Sequence, residues 1–183
     1  GSDARGGWYQ GFGIWLFAYF HNNWPGGERY LEAVRRGWHF MRDHGRDADG
    51  YWAMSLSRNG EVTEGATSVL TDAYLAHGLV ELSKADPNQG YLEVAREILA
   101  QVRERILRPD FCLSAPSYTE PHSLNGAWST VLLPVSDFLG LSPDDSEISG
   151  LRDLCLHAIL EKHLDAETGL IVEAVAPDGT AYT

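Results

Sequence analysis

The chain has 183 residues, 44% hydrophobic and 22% charged, a globular composition with length enough for one packed domain and a real core. Fourteen Lys and Arg stand against 26 Asp and Glu, a formal charge of −12, which argues against nucleic acid and anionic membrane surfaces as partners. The densest apolar run, Ile14 to Phe20, is far short of the ~18 residues of a membrane span, and Cys112 and Cys155 form neither a disulfide framework nor a metal-ligand spacing, so a reduced, cytoplasmic protein without metal or cofactor is expected.

Residues 8–22 read as a helix apolar nearly all round, the pattern of a buried element. Asn23-Trp24-Pro25-Gly26-Gly27 breaks it, and a second helix follows from Glu28 to about His44, with Tyr30, Leu31, Val34, Trp38 and Met41 at steps of three and four. Asp47-Ala48-Asp49-Gly50 is a turn, residues 51–57 are β-rich, and Arg58-Asn59-Gly60 carries the Asn-Gly hairpin signature. Helices are then expected over 67–85, 91–107, 126–139 (with a kink at Pro134) and 147–163, and the stretch 110–125 is irregular.

The segment HGRDADGYWAMSLSRNG returns near the end as KHLDAETGLIVEAVAPDG, with Gly50 and Gly169, and Gly60 and Gly179, each 119 positions apart. The first copy leads at once into a helix; four residues follow the second. The expected class is therefore all-α, a partial (α/α)6 barrel (an α/α toroid) with short β-hairpins inserted between helices. Residues 1–183 are expected to form one domain, an incomplete toroid truncated at its C-terminus. A plain helical bundle is the alternative.

No P-loop, GxGxxG, GxSxG, HExxH or CxxC is present. His21, His39, His44, His157 and His163 fall on helix faces or ends and read as structural or solvent-facing, and His77 reads as a satisfied core histidine. His122 differs, standing in the polar loop Glu120-Pro121-His122-Ser123-Leu124-Asn125, where a site role and a helix-entry role are both open. Six tryptophans, with Trp8, Tyr9, Trp15, Phe17, Tyr19 and Phe20 crowded into the first helix, fit a core and equally fit stacking platforms for sugar rings.

GGWYQGFGIWLFAYFHNNW resembles the opening segment of the N-acylglucosamine 2-epimerase family, whose pattern runs Trp-x-Gln-Gly-Arg-x-x-Trp. The resemblance continues in order through HGRDADGYWAMSLSRNGEV, VLTDAYLAHGLVELSKA and GLIVEAVAPDG. It implies a toroid that removes the proton at C2 of a ring-opened sugar through an enediol(ate) and returns it, with histidines as general acid and base and an arginine at the developing oxyanion. It also implies His122 as a catalytic candidate, and Tyr9, Gln10, Asp72 and Glu173 as substrate-binding candidates, to which the aromatic content adds Trp128. Phe12 stands where the family has its arginine, and the family's two catalytic histidines are expected beyond Thr183.

The leading expectation is thus a carbohydrate epimerase or isomerase with a small-molecule sugar as its substrate, present as a fragment without the distal histidines. Phe12 motivates a non-catalytic toroid that binds a sugar or a protein. A glycoside hydrolase or lyase would need paired carboxylates, Asp72 with Glu173 or with Glu120. An inner-helix face left open favours self-association, so a homo-oligomer stands among the expected partners.

Overall fold

The computed structural model describes residues 4–108, 123–176 and 180. The helix periodicities resolve into α1 (Gly7–Asn23), α2 (Glu28–His44), α3 (Leu70–Ala85), α4 (Tyr91–Ile106), α5 (Asn125–Leu141) and α6 (Ser146–His157). α3 lies between α1 and α5, and each of these three is backed by the helix that follows it, so three antiparallel pairs stand side by side in an arc.

Glycines set how close the inner helices come. A Cβ on Gly11 of α1 would fall 2.6 Å from the Leu75 backbone nitrogen, and one on Gly78 of α3 would fall 2.8 Å from Ile14 Cγ2. α1 and α3 therefore meet at a separation that a side chain at either glycine would forbid. Because α3 has neighbours on both sides, every residue from Thr71 to Ser83 except Tyr74 is buried. The outer helices present one apolar stripe inward, Val34, Trp38 and Met41 on α2 and Ala95, Ile98, Leu99 and Val102 on α4, against a core that includes Trp52, Leu56, Leu75 and Leu79.

Here one sequence expectation is corrected. The apolar-all-round pattern of the first helix reads as burial on every side, yet α1 buries only Gly7, Gly11, Ile14 and Ala18. Tyr9, Phe12, Phe17 and Tyr19 are exposed, because among the described helices it is α2 and α3 that pack on α1. The fifth helix continues through Pro134 to Leu141. The sixth stops at His157 and widens into a π-turn, Ala158–His163, that ends with the His163 side chain in the interior.

The repeat seen in sequence is a repeat in space. Strand β1 (Arg5–Gly6) runs into α1 and pairs antiparallel with β2 (Ser55–Leu56), which pairs in turn with β3 (Val62–Glu64). Strand β4 (Ser123–Leu124) runs into α5 and pairs antiparallel with β5 (Ala174–Val175). Each turn before the second strand closes on a glycine of positive φ, Gly50 at +83° and Gly169 at +70°, where a side chain would be strained. The Asp47 amide donates to Tyr51 O and the Asp165 amide to Leu170 O, both at 2.8 Å, so the second turn is one residue longer. No helix among the described residues is long and apolar enough to cross a membrane.

Candidate functional site

The starts of α1, α3 and α5 gather at one end of the arc and enclose a cleft of about 340 Å³. Trp8 comes from α1, Leu70 and Tyr74 from α3, and Leu124, Gly126, Ala127 and Thr130 from β4 and α5. Glu173, the residue before β5, supplies its only carboxylate among these lining residues. Aromatic faces are available in quantity: Trp8 stacks on Tyr9 with centroids 3.6 Å apart and lies 5.9 Å from Tyr74. Neither α1 nor α5 has an acidic residue in its first turn, and their opening amides, Gly7 and Asn125, donate to the Met54 and Glu173 carbonyls.

Deeper along the inner face the aromatics continue. Phe12 lies 6.0 Å from Tyr74 in an edge-on arrangement and 5.6 Å from Trp15. Trp15 stacks on His77 at 5.1 Å. His77, read from sequence as a core histidine with its needs met, is 8% exposed, and its Nε2 lies 2.9 Å from Asp137 Oδ2 on α5. The hydrogen bond from His77 holds the Asp137 carboxyl below its usual range.

The sequence candidates separate. Glu173 lines the cleft, and Tyr9 lies at its edge on the Trp8 ring, 60% exposed. Gln10 lines a different groove, between α1 and α2, with Gly13, Phe17 and Gly37. Asp72 is fully buried and paired with Arg105, whose Nη1 donates to Asp72 Oδ2 at 2.9 Å. Arg105 also donates from Nη2 to the carbonyls of Ala66 and Ser68 and stacks over the Tyr51 ring at 4.6 Å, which makes this pair a tie between α3, α4 and the first hairpin. Burial outweighs the arginine and pushes the Asp72 carboxyl up to about 6; its Oδ1 has no partner.

Trp128 is also held by a network. Its Nε1–H donates to Ser123 Oγ at 2.8 Å, Ser123 Oγ lies 2.9 Å from His163 Nε2, and His163 Nδ1 lies 3.0 Å from Val172 O. The one proton arrangement that satisfies all three puts the hydrogen of a neutral His163 on Nδ1, donating to Val172, with Nε2 accepting from the Ser123 hydroxyl. Burial keeps that histidine's pKa below its usual range. His122 and Glu120 lie outside the described residues. Tyr74 lines the cleft without having been singled out in the sequence, whereas Trp8 stood among the aromatics read there as possible stacking platforms. The available signal for Tyr74 was its position at the first turn of an inner helix.

No protein-family profile matches the chain, and no curated protein does. Solved structures do. A cellobiose 2-epimerase from Bacillus thermoamylovorans B4167 superposes with a TM-score of 0.85 at 13% identity over 99% of this chain and 50% of its own. A D-mannose isomerase gives a TM-score of 0.74 at 14% identity, over 99% of this chain and 49% of its own. A beta-1,3-1,4-glucanase from Paenibacillus sp. X4 gives 0.70 at 14%, over 99% and 50%. The chain spans about half the length of these proteins, and its fold is the helix-pair arc of an α/α toroid of the kind that sugar epimerases and isomerases share.

Proposed function

We propose that this chain is the sugar-binding half of a toroid carbohydrate epimerase or isomerase. The observation that carries the reading is the cleft itself: stacked aromatic faces, an exposed carboxylate at Glu173, and the amide ends of α1 and α5, in a fold shared with a cellobiose 2-epimerase and a D-mannose isomerase. Aromatic faces cover the C–H faces of a pyranose, and a carboxylate accepts from its hydroxyls.

The chemistry follows from what those groups do to charge. Removing the proton at C2 of an open-chain sugar leaves negative charge on the C1 oxygen, and the helix amide ends stabilise an oxyanion where Phe12 stands in place of a cation. No histidine stands among the described lining residues of the cleft. His122, two positions before the cleft-lining Leu124, is our candidate for the group that moves the proton.

Incubating the protein with cellobiose or mannose in D2O and following the C2 proton by NMR tests this. Exchange of that proton is expected, and its loss in His122→Asn places the base. No exchange with any free sugar, while the same sugars still bind, would leave the non-catalytic toroid as the reading. The apolar Phe12–Tyr74–Trp15 packing favours that outcome. The hydrolase alternative is less well supported: Asp72 reaches no solvent and its carboxylate is tied to Arg105.

A further inference from the structure

The cleft carries charge of one sign. Glu173 is the carboxylate among its described lining residues, and no arginine, lysine or histidine stands with it. It is exposed, and no ion pair among the described residues involves it. The hairpin does not need a carboxylate there, since the first half of the repeat has Met54 at the matching position, 119 residues earlier. Carboxylates of the inner helices, by contrast, are engaged: Asp72 with Arg105, Glu81 with Lys84 and Asp137 with His77.

Two cations at this end of the arc are held elsewhere. Arg46 lies over the Trp52 ring at 4.3 Å and donates to Gly50 O at 2.6 Å, and Arg105 is held by Asp72 and the Tyr51 ring. The hairpins here are acidic: residues 46–64 carry four acids against two basic residues, and residues 161–173 four against one. Trp8 and Tyr74 add aromatic faces to the cleft, their centroids 5.9 Å apart. The face of an aromatic ring is negative and attracts an ammonium group, and a carboxylate accepts a charge-assisted hydrogen bond from one. A positive group is therefore drawn to these surroundings, and a negative group is repelled by them.

We infer that the sugar this cleft takes is cationic: an amino sugar with a free ammonium group, its ring against Trp8 and Tyr74 and its ammonium donating to Glu173. The inference rests on the sugar-binding reading above and narrows it. A neutral hexose would leave the charge of Glu173 unanswered, and a sugar phosphate or a uronate would bring a second negative charge beside it. The ammonium also bears on the chemistry of that reading. Loss of the C2 proton to a base leaves its electron pair delocalised onto the C1 oxygen. A positive group on the sugar itself then meets that charge where no arginine or lysine stands among the described lining residues.

Isothermal titration calorimetry of the chain with D-glucosamine, D-glucose and ethanolamine tests the inference. The two sugars are compared at pH 6, where glucosamine is charged, and at pH 9.5, where it is neutral. At pH 6 glucosamine is expected to bind on the order of tenfold more tightly than glucose. That margin is expected to vanish at pH 9.5, and at pH 6 in Glu173→Gln. Ethanolamine, an ammonium without a ring, is expected to bind far more weakly than glucosamine at pH 6. Equal affinities for the two sugars at pH 6, or a margin that survives at pH 9.5 or in Glu173→Gln, would overturn the inference and leave the sugar-binding reading standing. Ethanolamine binding as tightly as glucosamine would make this a site for cations at large and overturn it too. If none of the three binds, the sugar-binding reading fails and this inference with it.

Discussion

Met54 and Glu173 hold the same place in the two halves of the internal repeat. The carbonyl of each accepts, at 2.8 Å, from the amide that opens an inner helix: Gly7 for Met54 and Asn125 for Glu173. The backbone frame is thus shared, and only the side chain differs. At Glu173 it is a carboxylate in the cleft. Met54 Sδ lies instead 3.2 Å from the Ser68 hydroxyl.

Glu173→Met is therefore the substitution that the fold itself supplies for separating binding from stability. The Asn125 amide keeps its carbonyl and the exposed carboxylate is removed, so the melting temperature is expected to stay within a degree or two. A charge-assisted hydrogen bond contributes about 1.5–3 kcal/mol, so sugar affinity should fall on the order of tenfold or more. Titration of the intrinsic tryptophan fluorescence with cellobiose measures it. Unchanged affinity would mean that Glu173 does not touch the sugar.

Gly11→Ala and Gly150→Ala should move stability in opposite directions. At Gly11 a methyl would strike backbone atoms of Tyr74 and Leu75, which cannot rotate away, and overpacking of that kind costs about 1–3 kcal/mol. At Gly150, inside α6, nothing lies within 4 Å, and the gain in helix propensity is about 0.5–1 kcal/mol. Urea titrations of both variants against wild type decide the matter. Equal effects would mean that the α1–α3 approach is looser than described.

Local patterns carried the helices and the repeat. Three-and-four spacing located α2 and α4 to within a residue or so, and the Asp-to-Gly turns revealed the two hairpins because a left-handed glycine leaves its mark in sequence. What could not be read was anything that depends on who stands next to whom. The apolar girdle of α1 looks the same in sequence whether one side or every side is packed. Nothing in the spacing of Asp72 and Arg105, 33 residues apart, announces their pairing, so a carboxylate that serves the core was read as one that serves a substrate. The bond from the Trp128 indole N–H to Ser123, which in turn meets His163, is equally unannounced in the sequence. Glu173, a candidate through the family resemblance, comes to line the cleft at the repeat position of Met54.

His163 should be neutral, with its proton on Nδ1, at neutral pH. Burial holds its folded pKa below 6.5, so as pH falls through that value the unfolded chain gains a proton that the folded chain refuses. Its contribution to stability is complete above pH 6.5 and is lost progressively below it. His163→Phe removes this dependence and leaves the Val172 carbonyl without its side-chain donor and the Ser123 hydroxyl with Trp128 alone, at about 1–3 kcal/mol for a buried unsatisfied group. Nitrogen-15 spectra of the imidazole check the tautomer directly, and an Nε2–H form would contradict the network.

Asp72 works in the opposite sense. Its carboxyl is raised from 3.8 to about 6 in the folded chain, so between those values the folded state holds a proton that the unfolded state has released. Folding takes up that proton, and stability from this group falls as pH rises from about 4 to about 6, by no more than about 3 kcal/mol at 1.36 kcal/mol per unit. Acids held below their usual range, Asp137 and Asp145 among them, lose their contribution below pH 4 and leave this window largely clear. The difference between wild type and Asp72→Asn isolates the group, because asparagine keeps the shape and cannot titrate. Denaturant midpoints at pH 4.5, 5.5 and 7 should show wild type losing ground to the variant as pH rises. A difference that is flat across those values, or that runs the other way, would mean that Arg105 keeps Asp72 ionised throughout and that the ion pair, not burial, governs this carboxylate.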